Sequence, residues 1–234
     1  MTSDQPQGHP ASPAVVLALP FRGRWMAQMS PARRVPSHGT HLFATSYAID
    51  FVAVHGRRTA TAVDWRTLLS VEPPERFVGY GEPILAPASG RVAAVHDGEP
   101  DHAARRSPFT LVPYALTQAS RVRQGSAAIA GNHVILELTG EVYVLLAHLQ
   151  NGSIRVAVGD RVVVGQEIGS CGNSGNSTQP HLHIQAMDAV DPARARGLPL
   201  AFRSYQVWPR GAGQPRRVEQ GLPDNGEVVE HVDE

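Results

Sequence analysis

Apolar side chains along this chain fall into short runs that alternate with polar positions or fill a few consecutive places, and long runs with a 3.6-residue rhythm are scarce. The runs are Tyr47 to Val54, Pro83 to Ala86, Gly90 to His96, His133 to Leu138, Val142 to Leu149, Arg161 to Val164, Glu167 to Cys171 and Leu182 to Met187. Glycine-containing turns separate them, which predicts a mainly β fold. Two stretches break the pattern. Thr59 to Phe77 places Trp65, Leu68 and Leu69 at helical spacing before Pro73 and Pro74 stop it, and Pro108 to Arg123 places Leu111, Tyr114, Ala115 and Gln118 similarly. Both read as short helical insertions, at about 59–77 and 98–127, on a β domain spanning 21–208. Residues 1–20 lack periodicity and read as an irregular arm, and 209–234, mixing Pro, Gly and acidic residues, as an irregular tail.

A hydrophobic share of 42% suits a chain that buries a real core. The 21 basic residues balance the 21 acidic ones, so no overall field draws the protein to nucleic acid or to an anionic surface. All the basic residues are Arg, which rules out a Schiff base or a lysine-linked prosthetic group. Cys171 stands alone, excluding an internal disulfide and any Cys-rich metal cluster. The apolar run Ala14 to Leu19 sits between Pro13 and Pro20 and is too short for a membrane span or a signal-peptide core. Function must come from local sites.

Eleven histidines supply candidates. His9, His55, His96, His102 and His231 have no evident partners in the sequence. In Pro180-His181-Leu182-His183-Ile184 the two-residue period of a strand puts both imidazoles on one face. Such a pair can ligate a metal, and it can equally sit on a solvated strand. Asp50 stands within the apolar strand Tyr47 to Val54, where an ionised carboxylate needs an arginine, backbone amides or a metal. His41 lies nine residues upstream, in Ser37-His38-Gly39-Thr40-His41-Leu42. One Asp and two His would leave a metal with an open position, the layout of catalytic zinc. His148 ends the strand Tyr143 to Leu149, a place that also suits a solvent-facing histidine, and Gly172 to Thr178 forms a loop tolerant of positive φ.

In order, His41, Asp50, His148-Leu149, Gly159-Asp160-x-Val162-x-x-Gly165-Gln166, Gly172-Asn173-Ser174-Gly175 and His181-Leu182-His183 resemble the lysostaphin-type zinc metallopeptidases, over about Pro36 to Met187. The resemblance implies an antiparallel β-sheet that forms a groove or sandwich, Zn²⁺ on His41, Asp50 and His183, and His148 and His181 as catalytic groups on the open side of the metal. It also implies a peptidoglycan peptide as substrate, either a glycine-rich bridge or a stem link with D-amino acids, and hence work outside the cytoplasm. The absence of a visible leader or anchor leaves a cytoplasmic location open. The stretched spacing from His41 to Asp50 departs from the family's compact first motif and makes His38 a rival ligand; His41 is preferred because the nearer residue needs less loop. Three other readings compete. The Gly159 to Gly169 turns also resemble biotinyl and lipoyl carriers, which the absence of lysine excludes. A two-histidine phosphocarrier would not need Asp50. A catalytically silent zinc-binding or wall-binding regulator would keep the fold, yet such relatives lack ligands that are present here.

Overall fold

The computed structural model describes residues 13–60, 71–105, 126–211 and 213–232. One large sheet organises them. Across it run β1 (Val15–Leu17), β12 (Leu200–Trp208), β14 (Val228–His231), β2 (Arg24–Gln28), β3 (Ile49–Ala53), β10 (Leu182–Met187), β7 (Tyr143–Leu149), β6 (Asn132–Glu137), β5 (Gly90–His96) and β8 (Arg161–Val162). β11 (Gly197–Leu198) adds to β10, β13 (Arg216–Gly221) adds to β12, and β4 (Pro83–Leu85) pairs with β9 (Glu167–Ser170) in a separate ribbon. Every pair is antiparallel except β1 with β12. The mainly β fold expected from the apolar runs is therefore present, and each of those runs contains a strand.

The termini correct the sequence reading. Val15–Leu17 of the supposed irregular arm pairs with Leu200–Phe202, and Leu17 and Leu19 are buried. The tail beyond residue 209 supplies β13 and β14, and β14 lies between β12 and β2 inside the sheet. Its few apolar residues are enough because neighbouring strands provide the hydrogen bonds, and Val228 and Val229 supply the buried contacts. Most of both predicted helical insertions, 61–70 and 106–125, lies outside the described residues. Their described flanks meet: Glu72 and Ala104 exchange backbone bonds of 2.9 and 2.7 Å. A single turn of 3₁₀ helix spans Pro74–Arg76, and a short α-helix spans Ser126–Ala130.

Strand alternation gives the central sheet two faces. Ile49, Phe51, Val144, Leu146, Leu182 and Ile184 point into the main core, where Phe21 stacks on Trp25 at 4.6 Å and Phe51 packs edge-on to Phe21 and Phe202 at 5.0 and 5.3 Å. Leu145, Ala147 and Met187 belong to a smaller apolar group on the other face. Asp50 and His183 share that second face. The aromatic cluster joins the N-terminal segment, the central strands and β12, so truncating its middle member should be felt throughout. Phe51→Ala should lower unfolding stability by about 3–5 kcal/mol in equilibrium urea denaturation. A loss under about 1 kcal/mol would mean that the cluster does not tie these segments together.

Candidate metal centre

Register brings the first two groups together. In the β3–β10 ladder Asp50 lies directly opposite His183, and His183 in turn lies opposite Ala147 of β7. Slipping either ladder by one residue would turn the carboxylate or the imidazole into the apolar core. Asp50 Oδ1 lies 2.9 Å from His183 Nδ1 and 3.2 Å from His38 Nε2, while Oδ2 lies 3.8 Å from His181 Nε2. His38, Asp50 and His183 each turn one donor atom to a common point, all within 4.8 Å of one another. These three can hold a metal ion.

The group gathered at Asp50 contains His38, the rival histidine, and not the preferred His41. Ser37 hooks the loop back onto the turn before β3: its N–H donates to Ser46 O at 3.0 Å, and its hydroxyl to Thr45 O at 3.1 Å. That hook returns the chain beside Asp50 at residue 38. His41 comes three positions later, is exposed, and has Nδ1 on Ser46 Oγ at 2.9 Å. Because the loop doubles back, separation along the chain does not decide which histidine faces Asp50.

His148 joins the site through a bulge. Asn132 pairs with Leu149 and Val134 with Leu146, so Ala147 and His148 together oppose His133 alone. His148 adopts φ 63°, a left-handed conformation rare outside glycine. Strict alternation would send its ring into the core beside Leu146. The bulge instead leaves both Ala147 and His148 lining the cleft. The His148 and His181 rings stand 4.7 Å apart, and His148 stands 5.9 Å from His183.

Each of the four rings has its far nitrogen tied down, and these bonds set the tautomers. His38 Nδ1 lies 2.9 Å from Ser37 Oγ, whose own proton goes to Thr45, so Nδ1–H donates and Nε2 is free to ligate. His148 Nδ1–H donates to Ser174 O at 3.0 Å, and His181 Nδ1–H to Gln179 O at 2.8 Å with Ser177 Oγ at 3.0 Å. His183 Nε2–H donates to Gln185 Oε1 at 2.9 Å, and Gln185 Nε2 donates to Phe43 O at 2.8 Å, which fixes the amide's orientation. Sequence reading missed Gln185. The signal was the same two-residue period, which puts positions 181, 183 and 185 on one face. It also set aside His102, which tertiary contacts bring to the loop behind His148.

Charge follows this arrangement. Burial would raise the Asp50 carboxyl, but His38, His181 and the bond from His183 outweigh it and hold the group well below its usual range. Burial, reinforced by His181 and His183, holds His148 well below the ordinary imidazole value, and burial also lowers His181. His183 runs the other way: burial lowers it, and the Asp50 hydrogen bond and charge more than restore it. Without a metal, the bond from Nδ1–H to Asp50 thus favours the protonated form of His183, and a ligand bound through Nδ1 must displace that proton. The cleft, about 340 Å³, is walled by Leu42, Phe43, Ile129, Leu145 and Pro192 beside these polar groups.

Residues 114–194 match the model of Peptidase family M23, a span that includes His148, His181 and His183 but begins after His38 and Asp50. That stretch, about a third of the chain, is thus similar to the family that its motifs resemble. Among solved structures, the catalytic domain of the antimicrobial peptidase lysostaphin from Staphylococcus simulans is 22% identical, with a TM-score of 0.37 over 65% of this chain and 77% of that one. A mutant catalytic domain of the prophage-encoded M23 protein EnpA from Enterococcus faecalis is 19% identical, with a TM-score of 0.38 over 82% of this chain and 92% of that domain. The deep-sea M23 metalloprotease pseudoalterin is 12% identical, with a TM-score of 0.40 over 79% and 75%.

Two expectations follow from the geometry. Calorimetric titration with a divalent metal should show binding abolished by His38→Ala and unchanged by His41→Ala; the opposite pattern would restore the shorter loop. The second concerns acid. His133, His148 and His181 have folded values below 6.5, so as pH falls through that value the unfolded chain takes up protons that the folded chain refuses. His183, raised above 6.5, contributes stability below that pH and loses it as pH rises through its folded value. Three groups oppose one, each worth up to about 1.4 kcal/mol per pH unit. The urea midpoint of metal-free protein should therefore drop between about pH 7.5 and 5.5, and His148→Gln should flatten the drop. A midpoint that rises on acidification would contradict these protonation states.

Proposed function

We propose that the chain is a zinc metalloendopeptidase that hydrolyses peptide bonds in peptidoglycan cross-bridges or stem peptides. The observation that carries the reading is the pair of imidazoles, His148 and His181, held beside the His38, Asp50 and His183 group with Nδ1 of each tied back to a backbone carbonyl. The donor set fits zinc: two imidazoles and a carboxylate, with the bonds to Ser37 and Gln185 leaving one nitrogen of each ring for the metal. A bound zinc would supply an acidified water and polarise the scissile carbonyl.

The protein's own groups do the rest. With Nδ1–H committed to Ser174 O, His148 presents Nε2 as an acceptor and can take a proton from an attacking water. Once protonated, Nε2–H becomes a donor to a developing oxyanion or a leaving amine. His181, with Nδ1–H committed to Gln179 O, offers the same service from the adjacent position. Apart from Asp50 and the histidines, the described residues that wall the cleft are uncharged, which suits a backbone-rich peptide with small or neutral side chains. A wall substrate would put this work outside the cytoplasmic membrane.

His148→Ala and His181→Ala should retain one zinc per chain and lose hydrolysis of cell-wall fragments by about 10²–10⁴ in turnover, read by mass spectrometry of the released peptides. Full activity without either histidine would refute the assignment. Zinc binding by the unaltered chain with no cleavage of any wall type would instead favour a silent regulator.

A further inference from the structure

His148 is held in a left-handed backbone conformation that is strained for a non-glycine residue, and such a residue persists only where its surroundings over-determine it. Two of the bonds that hold it come from one loop. Gly172 N–H donates to His148 O at 2.9 Å, and Ser174 O accepts from His148 Nδ1–H at 3.0 Å. Whatever fixes residues 172–175 therefore fixes both the backbone and the ring of His148.

That loop is clamped from outside the sheet by the segment 97–105, which follows β5. Asp101 Oδ1 accepts from Asn173 N–H at 2.5 Å, while its Oδ2 accepts from Asn151 N–H at 3.0 Å and from the Tyr80 hydroxyl at 3.3 Å. Burial, followed by the nearby Asp101 carboxylate, pushes the Tyr80 phenol up, which keeps it a donor. Asn173 Nδ2 donates to His102 O at 2.6 Å, and His102 Nε2–H donates to Gly175 O at 2.7 Å. Contact is close enough to require glycine at 172, where a Cβ would come within 2.4 Å of Gln150 N and 2.6 Å of Asp101 Oδ1. The Asn173 side chain spends its amide protons on this segment and leaves its own Oδ1 buried without a hydrogen-bond partner. A side chain whose carbonyl goes unanswered is held for the bonds its NH₂ group makes.

We propose that Asp101 is a positioning residue for His148: through Asn173 it locks the 172–175 loop, and the loop holds the strained backbone of His148 and aims its ring. Asp101 does not line the cleft, so it acts on the chemistry only through this path. Its consequence for turnover rests on the peptidase reading; its effect on the ring does not.

The test uses zinc-loaded full chain carrying Asp101→Ala and, separately, Asp101→Asn, which keeps the side chain's shape with a single acceptor oxygen. Nitrogen NMR of the imidazoles should report a single His148 tautomer with the proton on Nδ1 in the unaltered protein and mixed tautomers in Asp101→Ala, with Asp101→Asn between the two. Turnover of wall fragments should fall about 10- to 100-fold in Asp101→Ala with KM within about twofold and zinc content unchanged. An unaltered His148 tautomer in both variants overturns the proposal, and so does a lowered turnover that merely tracks lost zinc. If Asp101→Ala does not fold, the Asp101→Asn tautomer ratio and turnover decide. Should the unaltered chain cleave no wall fragment, the peptidase reading fails and the tautomer measurement still decides whether Asp101 positions the ring.

Discussion

An ionised carboxylate inside a β-sheet must be answered by donors or positive charge, and the site is arranged around that demand at Asp50. Unpaired, the group would cost several kcal/mol or take up a proton. Here three imidazole nitrogens converge on its two oxygens, at 2.9 and 3.2 Å on Oδ1 and 3.8 Å on Oδ2. The pairing explains why β3 and β10 adopt their register, why the loop before β3 doubles back at Ser37, and why Asp50 stays ionised despite its burial. A divalent cation among the same atoms would satisfy the same requirement.

The second constraint is that imidazoles offer either nitrogen, so a site built from four of them is defined only when each is told which one to present. The groups that do so are ordinary: a serine hydroxyl, a glutamine amide and backbone carbonyls of Ser174 and Gln179. They divide the rings into two kinds. His38 and His183 turn their inner nitrogens, Nε2 and Nδ1, toward Asp50, whereas His148 and His181 form the adjoining wall. On the proposed peptidase reading, this division would separate ligand from acid–base roles without extra charge in the cleft.

The strands serve core and site at once, and the bulge in β7 marks where these duties conflict. Val144 and Leu146 bury in the main core and Leu149 must return to it, so one residue of the alternation has to be absorbed between them. The left-handed turn at His148 absorbs it and keeps the ring on the cleft side, where strict alternation would have sent it into the core. The loop 172–175 and the segment 97–105 lie behind that turn and hold it.

Local pattern determined much. The two-residue period predicted the central strands and placed His181 and His183 on one face, and the cost of a lone carboxylate in an apolar strand singled out Asp50. Those inferences rest on nearest-neighbour geometry and on desolvation, which act wherever the segment ends up. Tertiary structure decided the rest. Which of His38 and His41 faces Asp50 depended on a hook between Ser37 and the Thr45–Ser46 turn, and separation along the chain carries no trace of it. The strand at Arg216–Gly221 is mostly exposed, and Val228–His231 offers only two buried valines, so their place in the sheet comes from the hydrogen bonds of neighbours distant in sequence. The aim of His148 likewise depends on a bulge against β6 and a loop after β9, because a left-handed histidine is stable only when other parts of the molecule hold it.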